Sequence, residues 1–137
     1  RDCREQSRRY GSAGWLRLFA HDIIQGPDVR VVAWVDAGDY VFLDDPARLL
    51  QHHRHFSSQE VVGAPGSHLS WGALPLQLLD LPRMRQANFS RLVAAAVQRG
   101  YAEKRAEFCE LGEGLAVMHL RNGPTRRLWH SLPSTWA

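Results

Sequence analysis

The hydrophobic and polar positions change period several times along the chain. Between Gly14 and Ile24, Trp15, Leu16, Leu18, Phe19, Ile23 and Ile24 recur at helical spacing and predict a helix. Gly26-Pro27-Asp28 stops it. Val29–Val35 is a continuous apolar run rich in β-branched residues, the composition of a strand buried on both faces of a parallel sheet. Asp36-Ala37-Gly38-Asp39 interrupts the run, and Tyr40–Leu43 resumes it. Asp44-Asp45-Pro46 reads as a helix start, with an Asp cap and Pro in the first turn, and Ala47–His53 as the short helix that follows. Glu60 to Ala64 reads as a second strand and Gly66–Gly72 as a loop. Leu74–Leu81 reads as a third strand, which Pro75 either confines to an edge or delays.

Pro82 to Arg99 predicts the clearest helix, with Met84, Phe89, Leu92, Val93, Ala96 and Val97 on one face and Gly100 as its C-cap. Ala102–Glu110 reads as a more polar helix. Gly114–Leu120 reads as an apolar helix stopped by Asn122-Gly123-Pro124, and Leu128–Leu132 as a short final strand. No internal repeat, low-complexity segment or linker divides residues 1–137. The alternation of strand and helix predicts one α/β domain.

Composition narrows the class. With 137 residues, 45% hydrophobic and 23% charged, the chain is long and apolar enough for one real core, and disorder is excluded. No apolar run reaches the roughly 18 to 20 residues of a membrane span, and no signal peptide is visible. Arg1 in first place leads us to expect a fragment or a processed product, with membrane attachment only through an N-terminal anchor outside the chain. Net charge is +3, but Arg1, Arg4, Arg8, Arg9, Arg121, Arg126 and Arg127 gather near the ends. No basic stripe interleaved with aromatics runs through the middle, so no nucleic acid is expected as a partner. Cys3 and Cys109 are too few for a disulfide scaffold, and their spacing leaves a single bridge open. Asn88-Phe89-Ser90 is a glycosylation sequon, which matters only in a secretory protein.

The chemistry concentrates where the first strand ends. In open α/β sheets, ligands bind beyond the carboxyl ends of strands, and Asp36 and Asp39 sit there. Adjacent carboxylates repel unless a cation joins them. Mn²⁺ or Mg²⁺ takes one or two carboxylates and completes its shell with phosphate oxygens and water. Such an ion neutralises a diphosphate leaving group. Gly38 permits a tight turn or a close ligand approach. A plain strand-to-loop turn uses the same residue types. Trp34 shares a strand face with Asp36 and reads as a core residue near the site. Trp71, in a Ser-Trp-Gly loop, is the candidate for sugar or acceptor contact.

Three pieces of the chain, in order, resemble glycosyltransferase family 8, especially its eukaryotic xylosyltransferase-like branches. The first runs from Trp15-Leu16-Arg17-Leu18-Phe19 through Val31–Asp39 to Leu43-Asp44-Asp45-Pro46. The second is Leu76-Gln77-Leu78-Leu79-Asp80-Leu81-Pro82-Arg83-Met84-Arg85. The third is Leu111-Gly112-Glu113-Gly114-Leu115 followed by Leu132-Pro133-Ser134-Thr135-Trp136. The resemblance implies a GT-A-like (Rossmann-like) mixed sheet with flanking helices, incomplete at both ends. It implies metal-dependent transfer of a sugar from a UDP-type donor to a glycan or glycoprotein acceptor, with retention, in the Golgi or secretory lumen. Asp36 and Asp39 would be the metal and donor carboxylates, Gly38 and Arg17 donor contacts, and Glu113 the catalytic acidic position near the sugar.

The chain departs from the family pattern in three places. Asp-x-Asp is stretched to Asp36-Ala37-Gly38-Asp39, Asn-Ser-Gly is replaced by Ala73-Leu74-Pro75, and Gly-Asp-Gln-Asp is reduced to Gly112-Glu113-Gly114-Leu115. These departures leave a catalytically inactive remnant or binding domain as the alternative. An aspartyl phosphatase or phosphotransferase also ends a strand in Asp-x-Asp, but Tyr40 follows Asp39 and the sole lysine is Lys104. His52, His53 and His55 cluster without further ligands in a recognised zinc pattern and read as an exposed helix end. Arg83 and Arg85 read as decoration of a helix's solvent face, with phosphate contact as the alternative.

Overall fold

A computed structural model describes residues 13–37, 41–66, 75–103, 109 and 112–136. The chain enters through α1 (Ala13–Leu16), a 3₁₀ turn (Arg17–Phe19) and α2 (Ala20–Ile23). Strand β1 (Val31–Val35) leads to α3 (Ala47–Gln51), which tightens into a 3₁₀ turn (His52–His55). Strands β2 (Val62–Pro65) and β3 (Leu76–Asp80) follow, then α4 (Leu81–Gln86), α5 (Phe89–Glu103) and α6 (Glu113–Asn122). A 3₁₀ turn (Pro124–Leu128), β4 (Trp129–Leu132) and a last 3₁₀ turn (Ser134–Trp136) close the described chain.

The molecule is a small α/β protein with a mixed four-stranded sheet in the order β1-β3-β2-β4 and helices on both faces. Strand β3 lies antiparallel between β1 and β2, while β4 runs parallel to β2. Strands β1, β2 and β4 therefore all point the same way, and β3 alone is reversed. The carboxyl ends of β1, β2 and β4 meet at one end of the sheet. Asp36 follows β1 there, Gly66 follows β2, and Trp136 follows β4.

The parallel surroundings read from Val29–Val35 are corrected, since β1 pairs antiparallel with β3, while the expected mixed sheet is found. An apolar run on both sides reports that both faces of a strand are covered; it says nothing of the neighbour's direction. Both faces of β1 are indeed covered. Val32 and Trp34 pack against the larger core, which holds Leu18, Leu79, Phe89, Val93, Val117 and Leu120. Val31 and Val35 pack against a smaller core of Leu49, Phe56, Leu76, Leu78 and Leu132. Pro75 delays β3 by preceding Leu76, and β3 is an interior strand. Pro75 lacks an N–H, but its carbonyl accepts the Asp36 N–H at 2.8 Å and extends the β1–β3 ladder.

The single helix expected from Pro82 to Arg99 is two helices. Asp80 caps the first by accepting the Arg83 N–H at 3.0 Å. The break falls at Asn88, whose φ of 50° places it in the left-handed region that ends helices. Phe89, fully buried, then opens α5. Gly100 does not cap this helix: α5 runs on to Glu103 with Gly100 buried within it, so packing overrides the local stop signal. Most of the expected helix at Ala102–Glu110 lies outside the described residues. The start at Asp44-Asp45-Pro46 forms as expected. Asp45 Oδ1 accepts the Ala47 N–H at 2.9 Å, and Asp44 pairs with Arg48 one turn on.

Candidate functional site

The expected site residues come from segments far apart in sequence, and the fold brings three of them together. Arg17 lies in the 3₁₀ turn between α1 and α2 and is 3% exposed. Its Nη1 stands 3.5 Å from Asp36 Oδ2, and its Nη2 stands 3.7 Å from Glu113 Oε1. One guanidinium therefore bridges the carboxylate beyond β1 and the carboxylate that opens α6. Both acids are partly exposed, at 41% and 28% of their side chains, so they face solvent while Arg17 is buried behind them.

Each member is held by its local chemistry. Asp36 Oδ1 accepts the Trp34 indole N–H at 2.9 Å. The two-residue strand period puts Trp34 and Asp36 on one face, as the sequence predicts. Trp34 is also packed against the larger core, so the indole anchors the carboxylate from below. Glu113 follows Gly112, whose φ of 54° is a backbone state that L side chains rarely adopt. That turn sets Glu113 in the first turn of α6, where the helix dipole favours a carboxylate. Gly14 allows a close approach: a Cβ there would lie 2.5 Å from Glu113 Oε1, and the Glu113 side chain would have to shift to make room.

Gly38, Asp39 and Trp71 lie outside the described residues. The residues flanking the Trp71 segment, Gly66 and Pro75, sit at the same end of the sheet as Asp36. Among the described residues no group of three or more His, Cys, Asp or Glu is arranged to hold a metal ion. Asp36 is nonetheless a hard oxygen donor with an exposed sector, which suits Mn²⁺ or Mg²⁺ when further oxygens come from Asp39, phosphate and water.

A separate cleft of about 630 Å³ opens next to the smaller core, against which Trp136 packs, and is within the size range of small-molecule sites. Val41–Leu43, Arg48, His52, His55 and Trp136 line it. The sequence reading missed this cleft, because its walls come from three separate segments, 41–44, 48–55 and 135–136. The Trp136 indole donates to His52 Nε2 at 2.9 Å, and the two rings meet edge to face. Burial holds the His52 pKa below its ordinary value, aided by the neighbouring His55, His130 and Arg54 charges, in keeping with a neutral acceptor ring.

The remaining candidates have structural work. His53 is not part of a free helix end: its Nε2 lies 2.6 Å from Asp80 Oδ2. Arg83 and Arg85 do not merely decorate a solvent face. Arg83 pairs with Asp80 at 3.2 Å and donates to the Ser57 carbonyl at 2.7 Å. Arg85 donates to the carbonyls of His21 at 2.7 Å and Ile24 at 2.6 Å. Both arginines use the guanidinium fork to tie loops to α4. The Asp80 network is a second feature that sequence reasoning missed. Its signal was an acid at a strand end followed by Pro82, a helix-start pattern.

Ser90, His21 and Asp22 also meet, with Ser90 Oγ 3.0 Å from His21 Nε2. They do not form a nucleophile relay: Asp22 bonds the serine, and His21 Nδ1 is buried without a partner. Burial lowers the His21 pKa, Asp22 partly opposes this, and Arg85 adds to it. Above pH 6.5 the ring is neutral in both states, but below it the unfolded chain takes up a proton that the fold resists, which favours unfolding. Melting temperatures measured from pH 8 down to 5 should therefore drop, and the drop should shrink in His21→Gln. An equal drop in both proteins would remove His21 as its source.

No protein-family model matches the chain, and no curated protein matches it. No helix among the described residues is long and apolar enough to cross a membrane. Cys109, the one cysteine among the described residues, is disulfide-bonded.

Proposed function

We propose that the chain is part of a GT-A-type glycosyltransferase domain that transfers a sugar from a UDP-type donor to a glycan or glycoprotein acceptor. The observation that carries the reading is the convergence of Arg17, Asp36 and Glu113 at one site. Arg17 and Asp36 belong to the first piece of the family-8-like pattern and Glu113 to the third, and nothing in their spacing requires the three to meet. The mixed sheet with its acid beyond the carboxyl end of β1 supports it further.

In this reading Asp36 and Asp39 hold Mn²⁺ or Mg²⁺. The ion would supply charge neutralisation on the departing diphosphate. Arg17 holds Asp36 and Glu113 in place, with Glu113 at the sugar side. The separate cleft offers an aromatic face in Trp136 and forked donors in Arg48, a lining suited to a sugar. The disulfide at Cys109 supports an oxidising compartment such as the secretory lumen.

One observation favours a second reading, a catalytically inactive domain. A single buried guanidinium already partners both acids, which lowers their pull on a cation. Thermal denaturation separates the two. UDP with Mn²⁺ at about ten times its Kd should stabilise the fold by roughly 1.4 kcal/mol. The melting temperature should then rise by roughly 3 to 6 °C. Asp36→Asn and Asp39→Asn should each abolish the rise. No rise in the unmodified chain at millimolar ligand leaves only the inactive domain.

A further inference from the structure

We propose that Asn88 is an N-glycosylation site that carries an oligosaccharide on the shoulder between α4 and α5. The inference rests on the secretory reading above, not on transferase activity. Asn88-Phe89-Ser90 has the sequon pattern, and three structural facts make its asparagine a usable acceptor.

First, Asn88 is exposed, and its amide makes no hydrogen bond among the described residues. Second, the surrounding backbone is fixed without help from that amide. The Asn88 N–H donates to Arg85 O at 3.0 Å, and Asn88 O accepts the Arg91 N–H at 3.0 Å. Phe89 is fully buried and turned to the core. With φ at 50°, the Asn88 side chain projects from a corner rather than from a helix face. Third, the position spares the site. Asp80 pairs with Val31, and the Leu81 N–H donates to Arg30 O at 2.9 Å. Helix α4 therefore leaves the sheet where β1 begins, at the end opposite Asp36. Ser90 and Arg85 further tie this corner to α2 through Asp22 and Ile24.

The reaction is a group transfer from a lipid-pyrophosphate-linked oligosaccharide. The Asn88 Nδ2 forms the new bond to the anomeric carbon and gives up a proton. The bond from that carbon to the pyrophosphate oxygen breaks, and the lipid pyrophosphate leaves. The transfer needs the asparagine and the Ser90 hydroxyl in the nascent chain. Ser90 reaches His21 and Asp22 only in the folded protein.

The test directs the whole chain into a eukaryotic secretory pathway and reads mass before and after peptide-N-glycosidase treatment. The unmodified chain and Ser90→Thr should each lose the mass of one glycan, mapped to the Asn88 peptide and leaving an aspartate. Asn88→Gly should lose none. Glycine adopts the left-handed backbone freely, so that variant folds. An unmodified chain without glycan, beside a glycosylated control protein from the same cells, overturns the proposal. So does a glycan that appears only in Ser90→Thr. Occupancy at Asn88 in a chain that shows no Mn²⁺–UDP stabilisation upholds this inference while sinking the donor site.

Discussion

Replacing Arg17 with Met is expected to lower the unfolding free energy by about 3 kcal/mol and to remove the Mn²⁺–UDP stabilisation. Removing one partner of a buried ion pair costs about 3–5 kcal/mol, because the remaining charge is left unpaired. The lower end applies here. Asp36 and Glu113 are partly exposed, so water takes up some of their lost contact. Methionine fills much of the space that the Arg17 stem occupies, which keeps cavity loss small. The two effects have separate causes. Stability falls because Arg17 is 3% exposed and bridges two elements. Donor binding falls because Asp36 loses one of its two anchors. Arg17→Lys should recover only part of each, since an ammonium is a point charge and lacks the fork that reaches both acids. Urea unfolding gives the first quantity and thermal shift the second. An Arg17→Met protein within about 1 kcal/mol of the unmodified chain would mean that the bridge holds nothing.

The Asp80→Ala substitution should destabilise the protein by about 2–4 kcal/mol. Asp80 is 4% exposed and ends the interior strand β3. It caps α4 through the Arg83 N–H, and losing such a cap costs about 1 kcal/mol. It also accepts from His53 and faces the Arg83 guanidinium. Stranding these donors adds about 1–3 kcal/mol. Arg83 in turn holds the Ser57 carbonyl and the Glu60 carbonyl, at 2.7 and 3.3 Å. Asp80→Asn keeps an oxygen for the cap and an acceptor for His53, so it should cost no more than about 1 kcal/mol. Equal losses in the Ala and Asn variants would move the weight from the cap to the charge.

The sequence disclosed elements better than neighbours. The strands at Val31–Val35, Val62–Pro65, Leu76–Asp80 and Trp129–Leu132 all fall within or beside the predicted runs. Their period and branching are local properties. The strand order is not local, and an apolar run carries no record of which strand lies beside it. That is why β1 read as part of a parallel sheet. The break at Asn88 was legible in principle, since asparagine tolerates the left-handed backbone. The long apolar stripe from Met84 to Val97 masked it. At the site, Asp36 and its shared face with Trp34 followed from strand period alone. That Arg17 meets Glu113 did not, because only the packing of α6 beside the α1–α2 turn brings them together. Gly112 and Gly14 illustrate the same limit. One permits a backbone turn and the other a close approach, and neither contact has a sequence signature.

The sheet order also governs how the chain must assemble itself. The two edge strands, β1 and β4, come from opposite halves of the sequence, and the two interior strands, β2 and β3, are consecutive. Only the β2–β3 pairing closes a short loop; β1 must wait for β3, and β4 must reach back across the helical stretch after β3 to β2. Loop-closure entropy rises with the separation of the partners, and non-local parallel pairing is intrinsically slow. The interior pair is therefore the natural seed. The residues that form the site, beyond β1 and at the start of α6, assemble only when both edges have docked. A nascent chain halted after α5 would hold the interior strands with Arg17 and Asp36, and would lack Glu113.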